Sequence, residues 1–189
     1  DLDEARALAA AVDLEHLVIP TSEVADPSYR ANSPGRCYLC KRTLFVELEE
    51  LAQQRRIPTI LYGALADDNA AERPGQRAAR EHQVRAPLQE AGLAKWEVRE
   101  LARSLGLPNW DKPQNACLSS RIPHGLVVTE EKLRRIEQAE GVLLSLGFFQ
   151  VRVRHLGTHA RIEVGREEVS RVDDATLSQQ ISDRLRALG

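Results

Sequence analysis

The chain has 189 residues, with 26 Lys and Arg against 28 Asp and Glu, a net charge of −2, and 42% apolar residues. These figures exclude a disordered chain and a broadly basic surface for nucleic acid or membrane. Three cysteines exclude a disulfide scaffold, no stretch approaches the roughly 18 apolar residues of a membrane span, and a reducing cytoplasm is the expected location.

Ala and Leu from Asp3 to Val12, led by acidic residues, predict a helix. Leu17-Val18-Ile19, stopped by Pro20, fits a buried strand. The stretch 21–36 carries Pro27, Asn32, Pro34 and Gly35 and reads as loop. Cys37-Tyr38-Leu39-Cys40 follows, then a helical stripe at Leu44, Phe45, Leu48, Leu51 and Ala52. The run from Ile57 to Tyr62 is a second strand, closed by Gly63. This alternation predicts an α/β layer with a parallel sheet.

Pro108, Asn109, Pro113, Asn115 and Pro123 mark a seam, after which the pattern changes. Thr129 can cap a helix with Glu130 and Glu131 in its first turn. The segments 151–154 and 161–164 alternate about Gly157 and read as a hairpin. Helical patterns at 167–172 and 174–188 close the chain. Two domains are expected, an α/β domain over 1–115 and a smaller α+β domain over 116–189.

Thiols are the first candidates for chemistry. A CxxC beside Lys41 and Arg42 favours thiolates, because a helix N-terminus and cations stabilise the anion. Alone it is equally half a zinc site, a redox dithiol, an iron–sulfur ligand pair or two inert residues. Cys117 stands in Asn115-Ala-Cys-Leu-Ser-Ser-Arg121, where hydroxyls and a guanidinium suit an anion. Three thiols fit a cluster with one open iron, or zinc completed by His124 or His155.

Arg152 and Arg154 share one strand face, where two forked cations suit a phosphate; pairing with Arg161 and Glu163 on a solvated face is the plainer alternative. Glu140 lies on the stripe of Leu133, Ile136, Leu143 and Leu144. A carboxylate there needs an arginine partner, a part in chemistry or an escape to water at the helix edge. Asp67 and Asp68 follow Gly63 at a strand end, where α/β folds bind ligands; they suit Mg2+ with a nucleotide, or a solvated turn.

Taken together, the segments 32–41, 73–75, 87–93, 109–113, 117–125, 151–154 and 160–163 resemble the LarE family of ATP-dependent sulfur transferases, which serve biosynthesis of the nickel-pincer nucleotide cofactor. The resemblance implies a Rossmann-like PP-loop domain followed by a smaller one. It also implies adenylation of a carboxylate of pyridinium-3,5-biscarboxylic acid mononucleotide, with sulfur then displacing AMP. Cys37, Cys40 and Cys117 look like the family's cluster type, in which three thiolates hold a 4Fe–4S cluster carrying an extra sulfide; other members sacrifice the cysteine that matches Cys117. By the same resemblance, Ser120, Arg121, Arg152 and Arg154 bind the substrate phosphate, Glu140 lies near the reacting end, and Gly63, Asp67 and Asp68 lie near ATP and Mg2+. A homo-oligomer is the family precedent.

The chain departs from the pattern in three places. The family's SGGxDS loop is absent and is expected before Asp1, in keeping with a chain that has no Met; a fragment is the expectation. Ala64-Leu65-Ala66 stands where the family usually has Asn, and the chain stops at Gly189, short of the family's final strand. Two other readings compete. A PP-loop tRNA thiolase calls for a basic surface and further cysteines, against a charge of −2 and three cysteines. A zinc-stabilised binding module needs no catalysis at all.

Overall fold

The computed structural model describes residues 2–68 and 73–189. They form two compact units, one of residues 1–23 and 35–112, the other of residues 24–34 and 113–189. The segment 24–34 therefore belongs with the C-terminal part of the chain, although the first unit flanks it in sequence.

In the first unit, α1 (Leu2–Ala11) is followed by the long α3 (Arg36–Arg55), α4 (Pro74–Glu81), α5 (Pro87–Glu90) and α6 (Lys95–Ser104). Proline opens both α4 and α5, where its missing N–H costs nothing. Phe45 of α3 meets Ala78 and Ala79 of α4 in the core, with Val84 beside them. Gly75 lets the two helices approach, since a Cβ there would stand 3.1 Å from the Lys41 side chain. The segment 60–68 is pinned by three backbone bonds: Tyr62 N donates to Arg85 O, Arg85 N to Ile60 O, and Ala66 N to Leu93 O.

The parallel sheet expected for this unit is reduced, among the described residues, to one parallel bridge between Leu61 and Arg85. Leu17-Val18-Ile19 is not a strand, and Leu17 and Val18 are exposed. An apolar run becomes a strand only when a neighbour satisfies its backbone groups, and no described segment pairs with this one. The architecture shown is helices with a small antiparallel sheet.

That sheet lies in the second unit. There α2 (Pro27–Arg30) precedes a 3-10 turn at Leu118–Arg121, α7 (Glu130–Ser145), β1 (Val151–His155), β2 (Ala160–Val164), α8 (Val169–Val172) and α9 (Ala175–Arg186). The hairpin is antiparallel and its four charged residues share one face, as the alternation predicts; the register sets Arg152 opposite Glu163 and Arg154 opposite Arg161. Thr129 caps α7 by accepting from Lys132 N at 3.2 Å. Leu143 and Ala139 of α7, Val153 of β1, Ile181 of α9 and Phe148 form the core. No helix among the described residues is long and apolar enough to cross a membrane.

Candidate functional site

Within the second unit, Cys117 heads the 3-10 turn and its residue is exposed. The turn is closed by Ser120 N donating to Cys117 O at 2.9 Å. Behind it sits Arg121, with no solvent exposure. Its Nε donates to Glu140 Oε1 at 2.8 Å and one terminal nitrogen to Glu140 Oε2 at 3.2 Å. That nitrogen also donates to Asn115 Oδ1 at 2.8 Å. The other terminal nitrogen donates to Ala116 O (2.6 Å), Ser120 Oγ (3.1 Å) and Cys117 O (3.3 Å). A guanidinium has five N–H groups, and all are engaged inside the unit. Glu140 also accepts from Val153 N of β1 at 2.9 Å. Of the readings open for Glu140, the arginine partner is the one observed.

The segment 24–34 clamps the same loop from another side. Asn32 is fully buried, and its amide donates to the carbonyls of Pro123 (2.8 Å), Leu126 (2.9 Å) and Ile122 (3.2 Å). Asn32 O accepts from Gly125 N at 3.3 Å and lies 3.0 Å from His124 Nδ1. The hydroxyls of Tyr29 and Ser119 stand 2.7 Å apart, and Val128 N donates to Arg30 O at 2.9 Å. Asn32 holds a φ of 55°, a left-handed conformation that Asn tolerates better than most residues.

Both strand arginines reach this loop. Arg154 donates to Ser120 O at 3.2 Å and Arg152 to Gln114 O at 3.4 Å. Arg154 is also paired with Glu163 at 2.7 Å, and Arg161 with the same carboxylate at 2.9 Å. The bond from Arg154 holds the Glu163 carboxyl below the usual carboxylate range, and in return raises the Arg154 guanidinium. On the same strand, burial and the charges of Lys132 and Arg135 push the His155 imidazole down.

Cys37 and Cys40 belong to the first unit, in the opening turns of α3 itself. Three residues apart, they share one helix face. Cys37 is exposed, whereas Cys40 is partly buried with its Sγ 4.0 Å from Glu23 Oε1. Lys41 and Arg42 lean over the rings of Phe45 and Tyr38. All three cysteines are outside any disulfide. Within each unit, among the described residues, no three His, Cys, Asp or Glu side chains gather as a metal site.

The acidic turn of the first unit is built into its surroundings. Asp67 Oδ2 accepts from Lys95 N at the start of α6 (2.6 Å), a favourable place for a carboxylate. Asp68 Oδ2 accepts from Leu65 N at 3.0 Å and Oδ1 pairs with Arg73 at 2.7 Å. Each Asp68 oxygen therefore has one partner and keeps a further lone pair. Gly63, just beyond the Leu61–Arg85 bridge, has open space around it.

Sequence reasoning missed Asn32 and Tyr29 as parts of this site. Their partners lie 90 or more positions away, and most are carbonyls that carry no side-chain signature.

No family model matches the chain. The chain is 42% identical, over 96% of its length and 68% of the relative's, to an uncharacterized protein of Synechocystis sp.. It is 32% identical, over its whole length and 68% of the relative's, to the pyridinium-3,5-bisthiocarboxylic acid mononucleotide synthase of Lactiplantibacillus plantarum. An uncharacterized protein of Methanocaldococcus jannaschii is 30% identical over 70% of this chain and 52% of its own. The one of these with a named activity is a synthase. The chain belongs to the pyridinium-3,5-bisthiocarboxylic acid mononucleotide synthase, or LarE, family.

Proposed function

We propose that the protein transfers sulfur to pyridinium-3,5-biscarboxylic acid mononucleotide, the precursor of the nickel-pincer nucleotide. The observation that carries this reading is the placing, within one unit, of an exposed Cys117 on a loop that Arg152 and Arg154 both reach. A thiol beside forked cations suits sulfur delivery to a substrate anchored by its phosphate. Ser120, whose hydroxyl keeps a proton to donate, completes that anchor.

A carboxylate oxygen is a poor leaving group, so the reaction needs activation. ATP supplies it: the carboxylate attacks the α-phosphorus, pyrophosphate departs, and sulfur then displaces AMP from the acyl carbon. Gly63 leaves room for the nucleotide, and Asp67 and Asp68 on the turn beside it are carboxylates suited to its Mg2+.

Three thiols outside any disulfide, two of them neighbours on one helix face, suit an iron–sulfur cluster as a donor set. Cys37, Cys40 and Cys117 would be its ligands. When bound, the cluster supplies an iron with an open position for the sulfide that is passed on. The exposure of Cys117 also favours a second reading, in which this residue gives up its own sulfur and becomes dehydroalanine.

Anaerobic purification followed by metal and mass analysis tests the proposal. About four irons per chain, lost on Cys37→Ser, support the cluster; one zinc and no turnover would point instead to a binding module. Loss of hydrogen sulfide from Cys117 after one turnover would establish the sacrificial route.

A further inference from the structure

Arg121 and Glu140 fit the sequence pattern of residues that touch substrate, yet the structure gives them different work. We infer that they are a positioning pair, which fixes the backbone of the Cys117 loop without contacting substrate. The inference rests on the proposed sulfur transfer for its kinetic half only.

Geometry supports it from both ends of the pair. All five N–H groups of Arg121 are spent on acceptors within the unit, and four of those acceptors lie on residues 115–120, on both sides of the thiol. Glu140 in turn is fixed to α7 by its backbone and to β1 through Val153 N. The pair thus ties the carbonyls of Ala116 and Cys117 to α7 and β1, both of which contribute to the core of the unit. Arg154 reaches the same turn through Ser120 O. Lysine, a point charge without the planar fork, could not span these acceptors. The side chain of Cys117 is left exposed by the same arrangement that holds its main chain.

Replacing one partner leaves a buried charge and threatens the fold, so the informative variant is Arg121→Met with Glu140→Leu, since apolar replacement of a whole buried pair is tolerated. Arg121→Lys is the conservative companion. Amide hydrogen exchange comes first, on the full chain without substrate or cofactor. The expected result is exchange at Ser120 N and Ile122 N faster by at least about tenfold, with α9 unchanged. In the sulfur-transfer assay, kcat should fall at least about tenfold at nearly constant KM, while Arg152→Ala raises KM. Unchanged exchange at Ser120 overturns the inference. So does a KM raised about tenfold at constant kcat, the mark of direct substrate contact. A wild-type chain that fails to bind pyridinium-3,5-biscarboxylic acid mononucleotide would count against the sulfur-transfer reading, and the exchange result would still decide the positioning role.

Discussion

Asn32 shows how much one amide can carry. It is buried, left-handed in backbone and bonded to three carbonyls of a loop that begins 90 positions further on. Asn32→Ala should destabilise the second unit by about 1–3 kcal/mol for carbonyls left unsatisfied, and by about 1 kcal/mol more for the positive φ. Asn32→Gly should recover only the latter; urea denaturation of the two variants measures the difference. Glu163 makes a prediction of a different kind. Its carboxyl is held low by Arg154, so the native state binds fewer protons than the unfolded chain in acid. Its contribution is complete above the ordinary carboxylate value and is lost as pH falls through the native one. Thermal melts between about pH 5 and pH 3 should therefore slope less for Glu163→Gln than for the parent. With a third of the Glu163 side chain exposed, solvent keeps the effect small.

Among the elements, those with local signals are legible in the sequence. Thr129 before two glutamates marks the start of α7, and alternation about Gly157 marks the hairpin, though not which residues pair across it. Elements that depend on partners are not. Leu17-Val18-Ile19 has a strand's composition and no strand beside it, while α5, a single turn, is too short to show a helical period. The Cys117 turn was visible as a cluster of thiol, hydroxyls and guanidinium, but the direction of Arg121 was not, because composition does not say whether a cation faces inward. Two substitutions check the element boundaries. Thr129→Ala removes the acceptor of Lys132 N and should cost about 0.5–2 kcal/mol. Leu143→Ala, at a fully buried position between α7, β1 and α9, should cost about 2–5 kcal/mol. Denaturant titrations followed by circular dichroism read both.

Across the whole molecule, the chain changes unit three times, after residues 23, 34 and 112. Residues 113–189 contain the α7, hairpin and α9 core, yet lack Tyr29, Arg30 and Asn32. A fragment of residues 113–189 should keep that core and lose order in 117–128. Adding a peptide of residues 24–34 should restore slow amide exchange at Val128, whose N–H bonds Arg30 O. Protection of Val128 in the fragment alone would contradict this.

The early excursion of residues 24–34 also makes the protein a natural candidate for splitting. A backbone nick placed between Leu105 and Lys112 would leave the clamp on one piece and its receptor loop on the other. The pieces would remain joined through Asn32, Tyr29 and Arg30 after the peptide bond is gone. Such a nicked pair could reassemble from separately expressed halves, with the return of an ordered Cys117 turn as the signal that the halves have met.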